Sequence, residues 1–199
     1  MNDHYFSVDP SSSFELVPMK ATVWGRELRL LTASGVFAKG RLDVGTAVLF
    51  DRTEPPATGS SFLDLGCGYG VIAIALALAR PEAQVWAVDV NERALELTRR
   101  NAQTAGVSDR VRTATPDDVP EEVVLDGIWS NPPIRVGKTE LHALLLRWLS
   151  RLGPQGQAVM VVGKNLGADT LQRWLTGQGY PTQRLSSART FRVLRSTRG

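Results

Sequence analysis

Cysteine is nearly absent from this chain. Of 199 residues only Cys67 carries a thiol, so no internal disulfide can brace the fold, and a reducing setting, the cytoplasm, is expected. Histidine is almost as scarce. Two imidazoles and one thiol fall short of the ligand sets that hold zinc, and no metal is expected. Long apolar stretches are missing as well. The longest run, Val71 to Ala79, is far shorter than the roughly 20 residues of a membrane-spanning helix. The opening stretch "MNDHYFSVDPSSSFELVP" lacks the basic start and apolar core of a signal peptide. The expectation is a protein without a membrane partner, working as a monomer or homodimer.

Acidic residues are scarce in one region only. Residues 131–199 hold two Asp or Glu against eleven Lys or Arg, a local charge of +9, whereas residues 60–130 carry −5 and residues 1–59 carry −1. The whole chain is only +3, so the distribution is what informs. A basic final third suits a polyanion such as RNA. A solvated face studded with arginines is the plain alternative.

What is present is an ordinary globular balance, 43% hydrophobic and 22% charged residues, in a chain long enough for one domain and a small appendage. The expected division is an N-terminal arm and β-hairpin appendage, residues 1–59, packed on a main domain of residues 60–199. In "MKATVWGRELRLLTASGVF", Ala21, Val23, Leu28 and Leu30 alternate around Gly25, a hairpin pattern. From residue 60 onward strands alternate with helices. "SSFLDL" leads into the apolar helix at 71. "AQVWAVDV" leads into an amphipathic helix that Asn91 can cap, with Glu96 and Arg100 one turn apart. "RVRTAT" and "EVVLDGIWS" follow. The helix "KTELHALLLRWLSRLG" buries Leu141, Leu144, Leu145, Trp148, Leu149 and Leu152. The strand "GQAVMVVG", the helix "GADTLQRWLTGQG" and two closing strands complete the chain. This order predicts an α/β, Rossmann-like fold: a seven-stranded, mostly parallel sheet with helices on both faces, the last hairpin supplying the antiparallel strand. In such folds ligands lie beyond the carboxyl ends of the strands, at the topological switch point.

The residues at those ends carry chemistry. The first strand of the main unit ends in Asp64-Leu65-Gly66-Cys67-Gly68-Tyr69-Gly70. Its glycines permit a tight turn and close approach of backbone to ligand. The spacing is G-x-G-x-G rather than the G-x-G-x-x-G of dinucleotide sites, and Asp64 would repel a pyrophosphate. An aspartate there suits a ligand bearing an ammonium group. The next strand ends in Asp89, whose carboxylate can take both hydroxyls of a ribose; Asn91 already provides the helix cap that is its other use. Beyond the third strand, either Asp117 or Asp118 can accept from an adenine amine, or both are exposed loop acids.

Together "DLGCGYG", "VDV" (with Val90 following Asp89) and "TPDD" resemble the motifs of class I S-adenosylmethionine-dependent methyltransferases. The resemblance implies a cofactor site on Asp64, Gly66, Cys67, Gly68, Asp89, Val90, Asp117 and Asn131.

"SNPPI", residues 130 to 134, is similar to the Asn/Asp-Pro-Pro-aromatic motif of methyltransferases that modify planar nitrogen, in adenine, guanine or glutamine. The lone pair of such an amine is delocalised, and its N–H groups need acceptors that turn it toward the methyl group. The Asn131 side-chain oxygen and the Pro132 carbonyl can serve, with Pro132 and Pro133 fixing the backbone. Orientation alone can account for about 7–11 kcal/mol of a barrier. Ile134 stands where the motif has an aromatic ring and still offers an apolar face.

The longer string "NPPIRVGK", with His142 four residues after Lys138, "GVFAKGRLDVGT" and "FRVLRS" resembles the small-subunit ribosomal RNA guanine-N2 methyltransferases, the RsmC type, in a short single-domain form. The resemblance implies methylation of a guanine exocyclic amine, with ribosomal RNA or the small ribosomal subunit as partner and Asn131, Pro132, Pro133 and Ile134 as the catalytic loop. Arg135 and Lys138 can clamp phosphates beside a flipped-out base, or simply be solvated charges at a helix entry. Arg192 and Arg195, in a C-terminal cluster with Arg184, Arg189 and Arg198, can meet RNA or serve solubility. His142 reads as structural rather than as a base. Phe37, Lys39, Asp43 and Thr46 either line the cofactor mouth or pack the appendage. Cys67 reads as a small residue in a tight turn.

Overall fold

A computed structural model of the chain describes residues 15–33, 36, 40–132, 137–188 and 190–199. The alternation of Ala21, Val23, Leu28 and Leu30 becomes the inward face of an antiparallel hairpin, β1 (Leu16–Val23) and β2 (Arg26–Ala33). Val23 pairs with Arg26, so the turn is the two residues Trp24-Gly25, with φ of 45° and 76°. Both values are positive, as in a type I′ hairpin turn. Glycine adopts this freely and tryptophan does not. Trp24 is held there because its indole N–H donates to the Thr53 carbonyl at 2.8 Å and its ring meets Phe50 and Trp129 edge-on, at 5.1 and 5.2 Å.

After α1 (Val44–Asp51) the chain builds β3 (Ser61–Leu65), α2 (Val71–Ala79), β4 (Gln84–Val88), α3 (Glu92–Thr104), β5 (Val111–Ala114), β6 (Leu125–Ser130), α4 (Lys138–Leu149), β7 (Leu152–Gly163), α5 (Ala168–Gly177), β8 (Thr182–Ala188) and β9 (Phe191–Thr197). The expected seven-stranded sheet is present, in the order β5-β4-β3-β6-β7-β9-β8. β9 runs antiparallel to both its neighbours, and the pairs from β5 through β7 are parallel. Helices cover both faces: α1, α2 and α3 share one buried cluster with the hairpin, and α4 and α5 share the other. The all-apolar α2 is explained by this arrangement, because Val71 through Ala77 are all buried.

Two boundaries differ from the sequence expectation. α4 ends at Leu149, and Leu152 is the first residue of β7 rather than the last of the helix; Leu144 is only half-buried. β7 also begins four residues before "GQAVMVVG". Leu152 pairs with Leu125, and the register then slips between Leu125 and Gly127. Gly156 makes the slip possible, since a Cβ there would lie 2.7 Å from the Leu125 carbonyl oxygen.

The hairpin is tied to the core by Asn101, a fully buried amide on α3. Its oxygen accepts from Leu31 N–H at 2.7 Å, and its nitrogen donates to the Leu31 and Tyr69 carbonyls at 2.8 and 2.9 Å. One side chain thus joins β2 to the glycine turn after β3.

Candidate active site

The chain winds outward through β3, β4 and β5, then crosses back to place β6 beside β3. The switch point therefore lies between β3 and β6. These strands are in register, Leu65 opposite Ser130, and the Ser130 hydroxyl donates to the Leu65 carbonyl at 2.7 Å. The glycine turn and Asn131 consequently leave the sheet side by side.

Gly66, Gly68 and Gly70 all have positive φ, 75°, 57° and 83°. At Gly70 a Cβ would also lie 2.6 Å from the Thr98 methyl, so only glycine starts α2 here. Asp64 is fully buried. One carboxylate oxygen accepts from Ala73 N–H at 2.9 Å, and the other has no hydrogen-bond partner among the described residues. Burial pushes its pKa up to about 8, against the pull of the Ala73 N–H and with a further push from Asp89. Asp89 is likewise raised, chiefly by burial and against the N–H groups of Asn91 and Gly68 that donate to it at 3.0 and 2.9 Å. Asn91 is the cap of α3, accepting from Arg93 N–H, so Asp89 is not spent on that task. With N–H groups of Gly68, Asn91 and Val90 at its carboxylate, Asp89 still keeps acceptor capacity for a ligand hydroxyl. Val90 is exposed beside it. Burial and the two acids keep the Cys67 thiol protonated, 3.6 Å from the Thr98 hydroxyl, and so unreactive.

Asn131 is the polar centre of the second half. Its amide nitrogen donates to Asp43 Oδ2 at 2.7 Å and to Thr46 Oγ1 at 3.0 Å. A carboxylate only accepts, so the NH2 end must face Asp43 and the oxygen must face away. Asp43 also caps α1 by accepting from Thr46 N–H at 3.1 Å. The two expectations for Asp43 and Thr46, lining the cofactor mouth or packing the appendage, do not include a contact with Asn131. The spacing Asp43-x-x-Thr46 could have announced the helix cap, but nothing local in sequence links it to position 131.

Pro132 is buried next to Asn131. Pro133, Ile134 and Arg135 lie outside the described residues, as do Phe37, Lys39 and Arg189. Lys138 is exposed at the first residue of α4. Asp117 lies past β5 and pairs with Arg147 at 2.7 Å, while Asp118 accepts from the Thr115 hydroxyl. His142 stacks on Trp174, ring centroids 3.4 Å apart, and burial together with Lys138 lowers its pKa. The imidazole is therefore neutral at pH 7 and packed. Arg192 and Arg195 are not brought together. Opposite Val162 and Val159, they project from opposite faces of the sheet. The Arg192 side chain is only 11% exposed and lies 3.8 Å from Asp169, which Arg184 also holds; Arg195 donates to Gln183. A groove of about 650 Å3 lies at the other end of the strands, but two of its arginines, Arg147 and Arg151, are already bonded to Asp117 and the Pro120 carbonyl. No group of His, Cys, Asp and Glu among the described residues could hold a metal, and no helix there is long and apolar enough to cross a membrane.

Comparison with known proteins decides the family, since the model of the methyltransferase small domain matches residues 27–195. The chain belongs to the methyltransferase small-domain family. Among its relatives, YbxB of Bacillus subtilis, an uncharacterized protein, is 33% identical over 171 residues, 84% of this chain and 85% of its own length. The ribosomal RNA small subunit methyltransferase C of Hahella chejuensis is 34% identical over 86% of this chain and 50% of its own length. The fold is similar to that of a Thermus thermophilus methyltransferase, RsmC, solved with AdoMet and guanosine: TM-score 0.78, 22% identity, 96% of this chain and 52% of that one. This chain thus spans about half the length of the RsmC relatives it matches. The resemblance to the RsmC type read from "NPPIRVGK" is borne out by these comparisons.

Proposed function

We propose that this methyltransferase small-domain protein transfers a methyl group from S-adenosylmethionine to the exocyclic amine of a guanine in small-subunit ribosomal RNA. The observation that carries the reading is the orientation of Asn131. An acceptor oxygen, turned away from Asp43 and placed beside the glycine turn, is what an electron-poor planar amine needs.

The residues present fit the cofactor. Asp64 has an unpartnered buried carboxylate oxygen, and two neighbouring acids with raised pKa values favour a cationic ligand. Asp64, Gly66, Cys67 and Gly68 would hold the methionine end, Asp89 with Val90 the ribose, and Asp117 the adenine. When bound, the cofactor supplies an electrophilic methyl group on a sulfonium. The chain's part is to orient the amine with Asn131 and the Pro132 carbonyl and to hold it there with the Pro132-Pro133 backbone; no side-chain base is required if the proton leaves late to water. Lys138, with Arg135, meets the phosphates that flank the target.

The relatives named for small-subunit ribosomal RNA support RNA as substrate, as does the +9 charge of residues 131–199. The test is to incubate the protein with methyl-labelled cofactor and, in turn, 30S particles, naked ribosomal RNA and bulk protein. Label is expected in RNA. Label confined to protein would move the substrate to a glutamine amide, and no cofactor binding by calorimetry would make the chain a non-catalytic RNA-binding module.

A further inference from the structure

We infer that Asp43 is a positioning residue for methyl transfer: its carboxylate fixes which end of the Asn131 amide faces the target amine. The inference rests on the proposed role of Asn131 as acceptor. A primary amide is nearly symmetric in shape, and a half-turn about its last bond exchanges oxygen for NH2 without disturbing packing. Only its partners break the symmetry. Thr46 Oγ1, at 3.0 Å, can donate or accept and so tolerates either orientation. Asp43 Oδ2, at 2.7 Å, cannot: the flipped amide would bring two acceptor oxygens into hydrogen-bond range. The flipped amide would also present N–H to the N–H of the target, where no bond can form.

The surroundings are built for this contact. Asp43 is immobilised as the cap of α1, the same Oδ2 accepting Thr46 N–H at 3.1 Å. Gly45 makes the space: a Cβ there would lie 3.0 Å from Asp43 Oδ2, 3.1 Å from Phe191 Cε1 and 3.3 Å from Asn131 Nδ2. Tyr69, in the glycine turn, is held protonated chiefly by burial, with a further push from the Asp43 charge. Asp43 therefore holds the acceptor loop from a segment outside it, with its charge felt at the glycine turn.

The test exchanges the two groups. Asn131→Asp alone places two carboxylates in contact, so one must hold a proton. Its kcat is expected to fall about tenfold or more at neutral pH and to recover as pH is lowered, with the KM for S-adenosylmethionine little changed. Asp43→Asn added to Asn131→Asp restores a donor at 43 facing an acceptor at 131; because one oxygen, Oδ2, serves both contacts, the Thr46 N–H cap of α1 is given up, so the double variant is expected to regain most of the kcat loss at a lower unfolding midpoint. A purely structural Asp43 would show no such reciprocal rescue. A second readout needs no substrate. The Asn131 side-chain NH2 resonances, identified by their absence from Asn131→Ala, should shift and exchange faster with solvent in Asp43→Ala. Resonances unmoved in Asp43→Ala, or a double variant no better than Asn131→Asp, would overturn the inference. Resonances that move, in a protein that methylates no RNA, would uphold the positioning role and remove the substrate reading instead.

Discussion

Asp64 shows how one residue links stability to ligand. Its folded pKa lies near 8, above that of an unfolded carboxyl, because burial disfavours the charge. Between roughly pH 5 and pH 8 the folded state keeps a proton that the unfolded state has released, so the cofactor-free protein should lose stability as pH rises through that window. Asp89, raised in the same direction, adds to the slope. Denaturant unfolding at several pH values checks this: Asp64→Asn, which can keep the Ala73 bond through its oxygen, should flatten the curve. A cationic ligand reverses the preference, so affinity for S-adenosylmethionine should tighten as pH rises toward 8, and less so in Asp64→Asn. At this scale the sequence is legible where the chemistry is local. "DLGCGYG" and "SNPPI" each contain their own meaning. Asp43 does not, because its partner is 88 residues away and the contact exists only once β6 pairs with β7 and α1 packs on β7 and β9.

Among elements, the periodicities translate almost directly. Period-two alternation marks β1 and β2, and the amphipathic stripe marks α3, with the Glu96–Arg100 pair formed at 2.8 Å. The failures have physical causes. Leu152 continues the apolar spacing of α4, so pattern alone assigns it to the helix, while the pairing with Leu125 that makes it a strand residue is long-range. Asn101 falls on the buried stripe of α3, with Ala94, Leu95, Thr98 and Ala102. A lone amide on an apolar stripe is a legible anomaly; its use, to bond β2 and the glycine turn, needs the fold. Asn101→Ala should leave Leu31 N–H and two carbonyls unpaired and cost about 1–3 kcal/mol for each group that water cannot reach. Urea unfolding would measure it. A loss under about 0.5 kcal/mol, the range of ordinary surface changes, would mean the hairpin is held by apolar contact alone.

For the whole molecule, the alternation of strands and helices was sufficient for the sheet and its two helical faces, because parallel βαβ units leave few alternatives. The charge asymmetry was legible as a number but not as a surface. Arg147, Arg184, Arg192 and Arg195 are all bonded within the chain, whereas Lys138 is exposed at the head of α4. RNA binding measured across salt concentrations should separate them. Lys138→Gln should lower the salt slope by about 1, while Arg192→Gln, at a side chain mostly buried against α5, should leave the slope unchanged and lower the unfolding midpoint. The measurement that bears most directly on the proposed function is nucleoside analysis of RNA from 30S particles after incubation with the protein and methyl-labelled cofactor. The expected result is label in N2-methylguanosine, absent with Asn131→Ala although that variant binds the cofactor within a few-fold of the parent. Label in methyladenosine, or in protein, would contradict it.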